Sequence, residues 1–131
     1  MTHFIATCSL ILAFTATQAQ TVRQTNNLTQ YSDQQAKQTI DSIYSRLVRG
    51  ENFEKLAVKL SQDPGSFSNG GKLDWQRPNI YVPAFRDTLN TLPIHQFSRP
   101  FKTSFGYHIV QIIRKRKDEV LSRHILLRIK D

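Results

Sequence analysis

At 131 residues the chain has the length of one domain, and its 39% of hydrophobic residues is enough for one modest core. A formal net charge of +8 invites a nucleic-acid reading, yet the basic residues are spread through predicted helices and gather only at "IIRKRKDEV", Ile112 to Val120. No aromatic-interleaved basic face accompanies them, so the charge reads as a solvated surface and no nucleic-acid partner is expected.

The N-terminus, "MTHFIATCSLILAFTATQAQ", is apolar from Phe4 to Ala16 and closes on small and polar residues. It is too short to span a bilayer comfortably, and Thr17 and Ala19 suit the small-residue positions before a signal-peptidase cut. Residues 1–19 are therefore expected to be a signal peptide, although no Lys or Arg precedes the apolar run. Export to the periplasm or cell envelope follows, with no stable membrane insertion once the segment is removed. Cys8 is the only cysteine. It lies within that run, so the mature chain would carry no thiol, as suits an exported protein without disulfides.

"TVRQTNNLTQYS", Thr21 to Ser32, is polar and turn-rich, and residues 20–31 read as a linker. Ser32 followed by Gln35 then forms a capping-box start. Ala36, Ile40, Ile43, Tyr44, Leu47 and Val48 recur at helical spacing until Gly50 stops the helix. A second helix is predicted from about Asn52, with Phe53, Leu56, Ala57 and Leu60 on one face. It ends in "SQDPGSFSNGGKLDW", Ser61 to Trp75, which holds almost every turn former of its region.

Pro83 suits the first turn of a third helix, where a missing N–H costs nothing, and Pro93 ends it. Phe85, Leu89 and Leu92 mark its inner side. "FSRPFKTSFGYHIVQIIR" alternates like two antiparallel strands turning near Ser104 to Gly106, with His108, Val110 and Ile112 on one face. "VLSRHILLRIK" reads as a last strand. The expected class is α+β, with helices packed on a small antiparallel sheet.

"GENFEKLAVKLSQDPGSFSNGGKLDW", "VPAFRDTL" and "FSRPFKTSFGYHIVQI" together resemble the parvulin family of peptidyl-prolyl cis-trans isomerases, in its exported PpiC-like branch. The resemblance runs from about Ser32 to Lys117, residues 32–117, in the family's order and spacing. It implies that Asp63 takes the acidic or cysteine position of the active site and His108 the histidine of the last strand. Leu73, Tyr81 and Phe85 match the apolar positions that cup the proline ring, although the family usually has methionine where this chain has Tyr81. Thr103 matches a threonine near the second histidine, and Gly70 and Gly71 match the pair that lets the loop fold back. Taken singly, each has a plainer reading. Phe85 and Leu73 suit a core, His108 a satisfied core histidine, and Asp63 and the glycines a turn.

The chemistry agrees with the resemblance. Rotation about an X–Pro amide faces a barrier of about 18–20 kcal/mol because the planar form is resonance-stabilised, so neither nucleophile, metal nor cofactor is required. An apolar slot for the ring, with polar groups favouring the twisted amide, lowers the barrier by differential binding.

One departure stands out: parvulins open with a strand of the form "RHILV" ahead of the first helix, and nothing between Thr21 and Ser32 resembles it. "THFIA", with His3, is one candidate. The terminal "SRHILLRIKD" is another, either as the opening of a second, tandem domain in residues 118–131 or as a permuted replacement for the missing strand. In the last case a hairpin centred on Arg116 pairs residues whose numbers sum to about 232, which sets His108 opposite His124 and adds His124 to the candidate catalytic group.

Phosphate-directed parvulins carry a basic loop between first strand and first helix; here "QTVRQTNN" stands in that region, which argues against phosphorylated substrates. The expected partners are unfolded or extended polypeptides with X–Pro bonds. A non-catalytic, chaperone-like binding module is the alternative.

Overall fold

The computed structural model describes residues 27–131; the expected signal segment and the stretch carrying His3 lie outside the described residues. Helix α1 spans Asp33–Val48, α2 Phe53–Leu60 and α3 Pro83–Thr91. The strands are β1 (Lys72–Gln76), β2 (Phe101–Thr103), β3 (Gly106–Arg116) and β4 (Glu119–Arg128).

The helix boundaries sit where local chemistry put them. The Ser32 hydroxyl accepts the Gln35 N–H while the Gln35 side chain accepts the Ser32 N–H, a closed capping box worth about 1 kcal/mol. Asn52 caps α2 through the Lys55 N–H. Pro83 opens α3, and Leu92 turns extended because the residue before Pro93 is pushed out of the helical region. Ala36, Ile40, Ile43 and Leu47 form the buried stripe of α1. Val48, expected in that stripe, points away and is 63% exposed.

All four strands pair antiparallel in the order β1-β4-β3-β2. Alternation along β3 and β4 then divides the core. Tyr107, Ile109, Ile125 and Leu127 face α1 and α2, whereas Val110, Ile112 and Val120 face α3. The terminal segment, expected either to open another domain or to replace a missing strand, lies inside this sheet with β1 on one side and β3 on the other. Residues 27–31, at the end of the expected linker, are held against it: Tyr31 bridges Ile129 in parallel, and the Gln62 amide donates to the carbonyls of Asn27 and Thr29.

Three details depart from the expectations. Strand β1 was not expected at all within the turn-rich loop. Its five residues alternate weakly, and the partner that makes them a strand, β4, lies far along the chain. Upstream of β3, only Phe101–Thr103 pairs as a strand, with Phe97 contributing a single bridge to Gln111 across the interruption at Pro100. The third concerns register. Near the turn Arg116 pairs with Glu119, and beyond a bulge between Ile112 and Arg114 the pairing shifts. His124 consequently faces Val110, and His108 faces Leu126. The two histidines are diagonal neighbours on one face and not directly opposed, because the hairpin turns at Lys117 and Asp118 and not at Arg116; the extra residue at the bulge then restores both rings to the same face.

Candidate active site

The face of the sheet that carries α3 brings the expected residues together around a cavity of about 390 Å³. Leu73 reaches it from β1, Phe85 from α3, and Tyr81 from the segment before α3; Asp63, His108 and His124 supply the polar wall. Tyr81 and Phe85 pack ring to ring with centroids 4.7 Å apart, so the tyrosine serves as an apolar wall, and its burial raises the phenol's pKa above the ordinary value. Thr103 is not among the lining residues; its Oγ1 lies 2.6 Å from His108 Nε2 and holds that ring from behind.

The polar groups form one chain. Asp63 opens the turn Asp63-Pro64-Gly65-Ser66, its Oδ1 accepting the Gly65 N–H and its Oδ2 accepting the Ser66 hydroxyl at 2.5 Å. The same Oδ2 lies 2.7 Å from His124 Nε2. His124 Nδ1 faces His108 Nδ1 at 3.4 Å. When both rings are neutral, donors and acceptors have a single consistent assignment. The carboxylate only accepts, so His124 donates from Nε2; its Nδ1 then accepts from His108 Nδ1–H, and His108 Nε2 accepts the Thr103 hydroxyl. The Phe105 N–H in turn donates to Thr103 Oγ1. Each ring nitrogen is thereby engaged, and among the described residues no three His, Cys, Asp or Glu side chains are arranged to hold a metal ion.

Electrostatics sharpen the two ends of this chain. The His124 hydrogen bond, joined by that of Ser66, outweighs partial burial and holds the Asp63 carboxyl well below the usual carboxylate range. His108 is 3% exposed, and burial pushes its imidazolium pKa down to about 3, assisted by repulsion from His124 and opposed by attraction to Asp63. Phe101 stacks on it at 5.3 Å, and Phe85 presents its edge to both imidazoles at 5.4 and 5.6 Å.

A stability prediction follows with a definite sign. The folded-state pKa of His108 lies below the unfolded value of about 6.5, so its contribution is fully present above pH 6.5 and lost as pH falls towards 3. Asp63, also depressed, loses its share only below the ordinary carboxylate value of about 4. Urea unfolding between pH 7 and 4.5 should show stability falling by up to about 1.4 kcal/mol per pH unit, a slope that His108→Asn reduces. Parallel slopes for the two proteins would refute a neutral, buried His108.

Gly71 explains how the loop reaches the site. With φ at +79°, its carbonyl accepts the His124 N–H at 2.8 Å, and a Cβ there would collide with the His124 carbonyl oxygen. The glycine seats β1 against the strand that carries the second histidine.

Residues not anticipated are Ser66, Phe101, Ile80, Val82, Phe105 and Leu126. Ser66 was findable, since a four-residue Asp-Pro-Gly-Ser turn returns its last side chain to its first. Phe101 depends on the β2–β3 register that pairs it with His108, and the others line the cavity through folding alone.

With this geometry established, comparison with known proteins is informative. The family model described as the PPIC-type PPIase domain matches residues 11–116. The chain is similar to the chaperone SurA of Pseudomonas savastanoi pv. phaseolicola, 40% identical over 88 residues, or 67% of this chain and 21% of that one. It is 45% identical over 86 residues to the chaperone SurA of Photobacterium profundum, covering 65% of this chain and 20% of that one. Among solved structures, the peptidylprolyl isomerase PrsA from Bacillus cereus superposes with a TM-score of 0.60 at 40% identity, over 62% of this chain and 31% of that chain. The chain thus spans about a fifth of the length of the curated relatives it matches.

Proposed function

Because this chain belongs to the PPIC-type PPIase domain family, we propose that it is a peptidyl-prolyl cis-trans isomerase acting on X–Pro bonds of unfolded, exported polypeptides. The observation that carries this reading is the apolar cavity with one polar wall: Leu73, Tyr81 and Phe85 to seat the pyrrolidine ring, and the chain from Asp63 through His124 to His108 beside it.

The proposed mechanism needs no covalent step. A planar amide concentrates negative charge on its carbonyl oxygen, and twisting withdraws that charge as resonance is lost. Dry walls and the ionised Asp63 disfavour the more charged planar form, while the His108–His124 pair holds the carboxylate in place. A thousandfold acceleration requires the twisted state to be favoured over the planar one by only about 4 kcal/mol, within reach of a few such contacts.

Exchange NMR on a short X–Pro peptide tests this with residues 20–131, the product expected of signal cleavage. Interconversion should accelerate, and Asp63→Ala should lower kcat/KM by about 10- to 100-fold, that is about 1.4–2.7 kcal/mol, with the fold unchanged. The location is read from the apolar run Phe4 to Ala16, so envelope-recovered protein should begin at Gln20. A second reading, a binding module without turnover, is favoured by the relatives bearing the name chaperone. Peptide binding with no accelerated exchange would establish it in place of the isomerase.

A further inference from the structure

Phe105, in the β2–β3 turn, lines two cavities. One is the proposed proline cavity; the other is a larger open groove of about 590 Å³ between residues 27–30, the turn, and the end of β4. The groove has built walls. Gln62, only 5% exposed, donates to the carbonyls of Asn27 and Thr29 at 3.1 and 2.6 Å and accepts the Arg128 N–H at 2.7 Å, so one buried amide ties both sides together. The Lys130 N–H, donating to the Tyr31 carbonyl at 2.8 Å, closes its far end.

Two large apolar side chains line this groove in contact with water: Leu28, 82% exposed, and Phe105, 53% exposed. Around them stand Ser104, the cationic Arg128 and Lys130, and one anionic residue, Asp131, so the charged lining is cationic on balance. A cavity that shares a phenylalanine wall with the proposed proline site, mixed in polarity and open to solvent, matches an extended polypeptide better than a compact small molecule. An extended chain alternates side chains with amide donors and acceptors, and this lining offers partners to both.

We propose that the groove is a second polypeptide subsite, seating an apolar side chain of the client between Leu28 and Phe105 while the client's proline occupies the neighbouring cavity. The proposal rests on the isomerase reading for the identity of that neighbour. It makes affinity depend on client length and on an apolar residue outside the X–Pro pair, with acidic residues beside it favoured by Arg128 and Lys130.

The test is an NMR titration of the full chain with two probes: a four-residue peptide, Ala-Ala-Pro-Ala, and an alanine-based ten-residue peptide with a central proline and a leucine on each flank. The longer peptide should bind at least tenfold more tightly and shift the amides of Leu28, Gln30, Arg128 and Lys130. Leu28→Ser should abolish that gain while leaving affinity and isomerisation for the short peptide unchanged. Equal affinities, or a gain that survives Leu28→Ser, would overturn the proposal. So would groove amides that respond to the long peptide only after residues 1–19 are removed, since the chain's own N-terminus would then be the occupant. Binding with the length gain intact but no isomerisation of either peptide would uphold the groove and reject the isomerase.

Discussion

A chain ending at Lys117 should not fold. Its loss would remove β4, the strand that pairs with β1 on one side and β3 on the other, and with it the buried side chains of Val120, Leu121, Ile125, Leu126 and Leu127. At roughly 1.5–3 kcal/mol for each buried aliphatic side chain, the loss is about 7–15 kcal/mol, which matches or exceeds the whole stability of a typical domain. It would also bare the inner edges of β1 and β3, both of which β4 now covers. Amide proton spectra of the truncated chain should collapse to unfolded dispersion, and urea should produce no cooperative transition. The His124→Ala variant of the intact chain separates fold from site. It should remain folded and lose activity, because the cost of the missing imidazole falls on the Asp63 network and not on the ladder. A cooperative transition in the truncated chain would mean that another segment fills the slot between β1 and β3. The stretch carrying His3 would then be the first to examine.

Phe85→Ala should destabilise the protein by about 3–5 kcal/mol and lower kcat/KM by at least a hundredfold. The two effects have one origin. Phe85 is 3% exposed and sits in the α3-side core with Leu89 and Val110, yet its ring also floors the proposed proline cavity and touches Tyr81, Phe101, His108 and His124. Truncation leaves a void beneath both imidazoles and removes the surface on which a pyrrolidine would rest. Phe85→Leu keeps most of the volume and should cost less than about 1.5 kcal/mol, so it tests the site in a protein that still folds. Its activity should fall while its unfolding midpoint stays close to that of the parent. Full activity in both variants would place the proline elsewhere. The plain reading of Phe85 as core and the functional reading as pocket are therefore not rivals: in a domain this small the core ends where the cavity begins.

The basic hairpin tip illustrates a similar economy. Arg116 lies over the Trp75 ring at 4.1 Å from its centroid, Arg77 pairs with Asp118 at 3.0 Å, and the Lys115 ammonium donates to the Leu92 carbonyl. Two of the four cations in the run that raised the nucleic-acid question, Lys115 and Arg116, and its Asp118 thus help hold the hairpin tip to β1 and the end of α3.

Features governed by neighbouring residues were legible in the chain. The helices begin at Ser32, Asn52 and Pro83 and end near Gly50 and Pro93 because capping groups and proline act within one turn, and no distant partner can override them cheaply. Asp63, Leu73, Tyr81, Phe85 and His108 were recognisable only through the resemblance to the parvulin family, since each alone suits a core or a turn, and the fold brings all five to one cavity. Features that depend on pairing over long separations were not legible. Strand β1 exists because β4 lies beside it, Thr103 supports His108 from outside the cavity lining, and a turn at Lys117–Asp118 together with the bulge between Ile112 and Arg114 sets His124 diagonal to His108. Local signals state which backbone geometry each residue prefers. Which strand fills the centre of the sheet, and in what register, is settled by the burial that all the elements achieve together.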